Sequence, residues 1–125
     1  MSVHRVVPNI PVGADGEAGT DASALRENAA FYGLLGFEEV MNHGWIMTLA
    51  SPTQPAAQIS FMTKDETGPV NPDLSVEVAD VDAVHAALVR EGAEIVYGPH
   101  DEEWGVRRFF VRDPNGRVVN VLTHR

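Results

Sequence analysis

Residues 104–123 read WGVRRFFVRDPNGRVVNVLT, and the reading of this stretch decides the fold. It is a β-hairpin: a strand, the turn Asp113-Pro114-Asn115-Gly116, and a returning strand. Asp opens the turn, Pro sets φ at the second position, and Asn and Gly tolerate positive φ at the end. The flanks are rich in Val and Phe, which favour strands. If Asp113 faces Gly116, Phe109 lies opposite Asn120 and Arg107 opposite Leu122. Side chains alternate between faces. One face then carries Arg107, Phe109, Val111, Val118, Asn120 and Leu122, and the other Arg108, Phe110, Arg112, Arg117, Val119 and Val121. Arg107 and Asn120 stand out as polar groups among apolar ones, as a pocket requires.

Upstream, 73–79 (DLSVEVA) alternates: Leu74, Val76 and Val78 on one face, Asp73, Ser75 and Glu77 on the other. Asp80 caps a helix from Val81 to about Glu91, stopped by Gly92, and a strand follows from Ala93 to Tyr97. The first half has the same order. Val3 to Val12 is a strand whose prolines, Pro8 and Pro11, point to an edge or bulged position. Its faces are Val6, Pro8, Ile10 and Val12 against Arg5, Val7, Asn9 and Pro11. Gly13 to Thr20 holds only turn formers, alanines and acids and reads as a mobile loop. A helix capped by Thr20 or Asp21 runs to about Leu35, with Leu25, Ala29, Tyr32 and Leu35 on one face and Phe31 beside them. Strands follow at 37–42, 45–50 and 56–62; in the last, Gln58, Ser60 and Met62 face opposite to Ala57, Ile59 and Phe61. Residues 64–72 (KDETGPVNP) form the linker. The order is βαβββ, linker, βαβββ. GFEEV at 36–40 registers with GAEIV at 92–96, and Pro52 with Pro114, so the chain is an internal duplication.

The segments NAAFYGLLGFEEV, VEVADVDAVHAALVREGAEIV and WGVRRFFVRDPNG resemble the vicinal oxygen chelate superfamily of glyoxalase I, bleomycin resistance proteins and extradiol dioxygenases. The resemblance spans nearly the whole chain. It implies an α+β fold: one domain over 1–125, with tandem βαβββ modules at 1–68 and 69–125 forming a curved, barrel-like mixed sheet around a cavity. It also implies a homodimer. Fold alone leaves function open.

Enzymes of this superfamily hold a divalent metal through His and Glu on the first and last strands of each module. By that resemblance the four positions fall on Val7, on Gln58 or Ser60, on Asp73 and on Asn120. One carboxylate with amides and hydroxyls does not suit zinc, nickel or iron. No metal, no cofactor and no catalytic residue are expected. His4 reaches a ligand position only by a shift of register that reverses its facing. The five histidines show no metal-ligand spacing to one another.

The strand parities place Asn9, Gln58, Ser60, Ser75, Glu77, Arg107, Phe109 and Asn120 on the cavity side, with Asp73 beside them and Trp104 and Trp45 at the rim. Glu77, set between Val76 and Val78, needs a partner or water; Arg107 is the candidate. An aromatic rim suits a flat ligand, and Trp104-Gly105 matches the bleomycin-resistance-like branch. The expected function is metal-independent binding or sequestration of a small molecule, aromatic and antibiotic-like ligands being the candidates, in a cavity at the dimer interface. The alternative is a metal-dependent glyoxalase-type lyase, isomerase or dioxygenase with another ligand set, such as His4, Asp73 and Glu77.

Composition narrows the classes. A net charge of −9 favours cationic ligands at long range, whereas Arg107 inside the cavity would favour an anionic group. Lys and Arg are not clustered as nucleic acid or an anionic membrane demands. No apolar run approaches the roughly 20 residues of a membrane span, and the N-terminus lacks a signal-peptide core. With no cysteine there is neither disulfide nor thiol nucleophile, and a cytoplasmic location is the default. The motifs GxGxxG, GxxxxGK[ST] and GxSxG are absent.

Overall fold

A computed structural model describes residues 1–13 and 20–125. The loop expected at Gly13 to Thr20 therefore lies almost wholly outside the described residues. Among the described residues the elements are β1 (Val3–Pro11), α1 (Thr20–Gly33), β2 (Glu38–Asn42), β3 (Ile46–Ala50), β4 (Gln58–Met62), β5 (Leu74–Val78), α2 (Val81–Arg90), β6 (Ile95–Asp101), β7 (Val106–Arg112) and β8 (Val118–His124). The chain forms one open mixed sheet ordered β2-β3-β4-β1-β5-β8-β7-β6. The two halves mirror each other about the β1–β5 seam, as the repeat predicts. Here β1–β4 with α1 are called module one, and β5–β8 with α2 module two.

β1 sits at the centre of the sheet, not at its edge. It runs antiparallel to β5 from Val3 to Pro8, with a bulge between Val3 and Arg5, and parallel to β4 from Asn9 to Pro11. The prolines are tolerated by position. Pro8 precedes the first β4 partner, and Pro11 lies past the last β5 partner, so neither missing N–H interrupts an established ladder.

Both helices pack on one face of the sheet. On α1, Leu25, Ala29 and Tyr32 cover Met47, Leu49 and Phe61. Leu35 and Phe31, expected beside them, are exposed. α1 ends at Gly33, and a turn in which Leu35 N donates to Tyr32 O takes Leu35 out of helical phase. On α2, Asp80 caps the start by accepting from Ala83 N at 3.0 Å. Val81, Val84 and Leu88 cover Val78, Phe109, Val111 and Val121.

The hairpin β7–β8 has a different register from the one the turn suggests. Phe110, not Phe109, faces Asn120; Arg108, not Arg107, faces Leu122. Asp113 O accepts from Gly116 N, and Asp113 N donates to Arg117 O. Gly116, at φ +83°, thus adds a third loop residue, a turn followed by a left-handed bulge residue. A one-residue slip reverses every side chain of the strand. Phe109 is wholly buried against α2, with His85 edge-on at 5.0 Å. Arg107 stays outside, with ion pairs to Asp82 on α2 at 3.0 Å and to Asp101 at 3.1 Å. Arg108 and Phe110 take the inner face in their place.

Candidate functional site

The face away from the helices encloses a cavity of about 260 Å³. It is lined from β1 (Arg5, Val7, Asn9), β3 (Ile46, Thr48), β4 (Gln58, Ser60), β5 (Ser75) and β8 (Asn120, Leu122, His124), with Val40 and Met41 from β2 and Trp104 from the β6–β7 loop. One hollow drawing side chains from strands so far apart means that the sheet curves around it.

Asn9, Gln58, Ser60, Ser75, Trp104 and Asn120 are therefore brought together, as expected. Arg107 and Phe109 are not, because of the hairpin register. Glu77 stands on the same side, but the Arg107 partnership expected for it is replaced by Arg5, whose Nε lies 3.0 Å from Glu77 Oε1. His124 Nδ1 adds a second contact at 2.8 Å. Arg5 also donates to Gln58 Oε1. Burial pushes the Glu77 pKa up, but the His124 hydrogen bond and the charges of Arg5, His124 and His4 outweigh it and hold the carboxyl below its usual 4.5.

The floor is uncharged. Asn9 Nδ2 and Asn120 Nδ2 both donate to Ser75 Oγ, at 3.1 and 3.0 Å. Thr48 and Ser60 share a hydroxyl hydrogen bond of 2.7 Å. Asn120 is only 6% exposed, and its Oδ1 is buried with no partner. An orphaned buried acceptor is costly, about 1–3 kcal/mol, and invites an explanation.

Trp104 walls one end. Its ring lies 6.2 Å from His43 in the β2–β3 turn and 6.5 Å from Trp45, so module two touches the tip of module one here. Trp45 braces Trp104 and does not itself line the cavity. The other side of the Trp104 ring carries the Arg108 guanidinium at 5.3 Å.

The sequence did not mark Arg5, Thr48 or His124 as lining the cavity, nor Arg108 as the buried cation beside it. Arg108 is 1% exposed and paired with Asp65 (2%) from the linker and Glu102 (3%) from the β6–β7 loop. Arg108 NH1 donates to Asp65 Oδ2 at 2.9 Å, and NH2 to Thr67 Oγ1 at 2.9 Å. Tyr97 donates to Glu102 Oε1 at 2.6 Å. Gly68 lies so close to Arg108 and Phe110 that an added Cβ would meet both at 3.1 Å. The linker thus fills the part of module two's inner face around β6 and β7, and the cavity is what remains across the β1–β5 seam. The FF and RR doublets of β7 carry no alternation, so only the turn geometry could have revealed this.

A larger hollow of about 770 Å³ lies on the opposite face, under α2. Its apolar lining is mostly valine, with Leu88 at the position where module one has Tyr32, four residues before the glycine that follows each helix. It lacks convergent polar groups, which makes it the weaker candidate for selective recognition.

The positions that the resemblance assigns to a metal hold Val7, Ser60 or Gln58, Asp73 and Asn120. The Asp73 carboxylate turns aside: Oδ2 accepts from Val118 N at 2.8 Å, and Oδ1 lies 3.7 Å from Arg117. Neither His4 nor Asp73 lines the cavity, so the alternative set of His4, Asp73 and Glu77 does not converge there. The amide and hydroxyl oxygens at these positions do not fit zinc, nickel or iron, and the imidazole that lines the cavity, His124, is hydrogen-bonded to Glu77.

Curved paired βαβββ modules around a small cavity with an amide-and-hydroxyl floor define a class of small-molecule sites. The chain belongs to the Glyoxalase/Bleomycin resistance protein/Dioxygenase superfamily, whose model matches residues 22–121. No curated protein matches the sequence significantly. Solved structures of similar fold include the NAD-dependent benzaldehyde dehydrogenase from Legionella pneumophila (TM-score 0.68, 14% identity, 96% of this chain and 99% of that one). Methylmalonyl-CoA epimerase from Mycobacterium tuberculosis is similar at TM-score 0.63 and 22% identity, over 98% of this chain and 87% of that one. A superfamily member from Vibrio splendidus 12B01 is similar at TM-score 0.60 and 14% identity, over 98% and 99%. At these identities the likeness speaks for the fold. Among the described residues, no helix is long and apolar enough to cross a membrane.

Proposed function

We propose that this protein binds a small molecule in the cavity between its modules without a metal, and holds it rather than transforming it. The observation that carries the reading is the floor: Asn9, Thr48, Ser60, Ser75 and Asn120 offer hydrogen bonds but neither a metal-ligand set nor a free general base. Glu77 is the nearest carboxylate, and it is held by Arg5 and His124. Its depressed pKa makes it a weak base. Trp104 supplies an aromatic wall for a flat ligand, which supports aromatic candidates, antibiotics among them.

A homodimer is part of this proposal. Val3, Val6, Phe31, Leu34 and Leu35 expose apolar surface on β1 and at the end of α1, and a second copy would cover it. The concentration dependence of sedimentation tests this.

The function is tested by thermal unfolding of chelator-treated protein against one- and two-ring compounds, with and without Zn²⁺, Ni²⁺, Mn²⁺ and Fe²⁺. A compound at a hundred times its Kd stabilises by about 2.7 kcal/mol, which reads as a shift of several degrees. The proposal expects such shifts without metal and none from metal alone. Stabilisation by a stoichiometric metal would move the reading to the lyase or dioxygenase branch.

A further inference from the structure

Among the hydrogen-bonding functions that the cavity leaves over, two stand on residues bonded to each other. Ser75 Oγ has two lone pairs and one proton. Both lone pairs are taken, by Asn9 Nδ2 and Asn120 Nδ2. The hydroxyl proton therefore has to be donated, and no described protein acceptor takes it. Asn120 gives its Nδ2 to Ser75 and keeps Oδ1 as an acceptor with no partner. A donor and an acceptor thus stand side by side on β5 and β8, where Ser75 and Asn120 are directly paired. Both residues line the cavity. Neither is charged, and Arg5, which also lines the cavity, has Glu77 Oε1 3.0 Å from its Nε and donates to Gln58 Oε1.

Resting on the binding reading above, we infer that the ligand's head group is a neutral amide or lactam: its N–H donates to Asn120 Oδ1 and its carbonyl accepts from Ser75 Oγ–H. A carboxylate would set negative charge against the Asn120 oxygen and beside Glu77, the carboxylate that Arg5 already faces. An ammonium would leave the Ser75 proton unused. The ring attached to the head group packs among Val7, Ile46, Leu122 and Trp104. At about 260 Å³ the cavity lies near the lower end of small-molecule sites, roughly 300–1,000 Å³, so the body is one or two rings.

The test is a matched series on the wild-type protein: benzamide, N,N-dimethylbenzamide, benzoate and benzylamine, with toluene as the headless control. Affinity is followed by titration calorimetry and by the resonances of Ser75 and Asn120. Benzamide is expected to bind at least about tenfold more tightly than any other member, since each of the others leaves a buried polar group unmatched. Asn120→Leu is expected to remove that preference while toluene binding persists, which separates loss of recognition from loss of folding. Benzoate or benzylamine binding as tightly as benzamide overturns the amide assignment but leaves the cavity reading in place. Failure of every member, toluene included, to reach the cavity overturns both.

Discussion

Arg108 and Asp65, 43 residues apart in sequence, form a two-point ion pair at 2.9 and 3.3 Å in which both side chains are almost wholly buried. Through it the linker between the modules becomes part of module two's inner face, and the cavity is confined to the region around the seam. Removing Asp65 leaves Arg108 with Glu102 at 3.4 Å and takes away its two-point partner. Asp65→Ala is expected to cost about 1.5–3 kcal/mol in denaturant unfolding, the worth of hydrogen bonds to a charged group, and Thr67→Val, which loses one hydrogen bond to Arg108, about 1 kcal/mol. A loss below 1 kcal/mol for Asp65→Ala would mean that the linker is not held as described.

Tyr97 gives the alkaline limb of stability. Burial, its hydrogen bond to Glu102 and the Glu102 charge push its pKa from 10.0 up to about 12, against the opposing charge of Arg108. A folded pKa above the unfolded one means that the neutral phenol is favoured in the fold. The contribution is whole below pH 10.0 and is lost as pH rises through about 12. Tyr97→Phe is expected to flatten the stability curve in that window; an unchanged slope would contradict it.

Glu77 acts at the other end of the scale. Its folded pKa lies below 4.5, so its contribution is present above 4.5 and fades as pH falls through the folded value. Glu77→Gln is expected to reduce the acid sensitivity of unfolding below that pH, measured by urea midpoints across the acid range. Equal midpoint losses in the two proteins would place the acid sensitivity elsewhere.

Arg107 and Phe109 separate stability from recognition. Phe109→Ala removes a wholly buried ring beneath α2 and is expected to cost about 3–5 kcal/mol. Arg107→Ala breaks exposed pairs with Asp82 and Asp101 and is expected to leave ligand affinity unchanged. Loss of affinity in Arg107→Ala would revive the register in which that side chain faces the cavity.

Trp104 is expected to report on the ligand. Trp104→Leu should weaken binding of an aromatic compound by roughly two- to tenfold, the worth of one ring–ring contact. In a Trp45→Phe background, leaving Trp104 as the single tryptophan, ligand should change the emission. Silent fluorescence with proven binding would put the ligand away from this wall.

The repeat, the Asp80 cap of α2 and the parity of β1, β4 and β5 were legible because each rests on local pattern; the cap expected at Thr20 or Asp21 lies outside the described side chains. Glycines follow both helices, and LSVEV alternates cleanly. Asn9, Gln58, Ser60 and Ser75 were placed on the cavity side for that reason; Asn120 also lines the cavity, but beside Arg108 and Phe110 and not beside Arg107 and Phe109. β7 was not legible. Its sequence VRRFFVR pairs like with like, so either parity buries one Phe and one Arg, and a single left-handed glycine in the turn decides between them. The burial of Asp65 was illegible for another reason. A polar linker rich in turn formers looks solvated, and only the three-dimensional position of Arg108 gives its carboxylate a partner.

The most direct measurement is the amide spectrum of isotope-labelled, chelator-treated protein, titrated with whichever ring compound stabilises it most. The account predicts saturable shifts centred on Ser60, Ser75 and Asn120 in the absence of metal. Shifts that appear only after a divalent metal is added, or that gather instead at Val84 and Leu88 under α2, would contradict it.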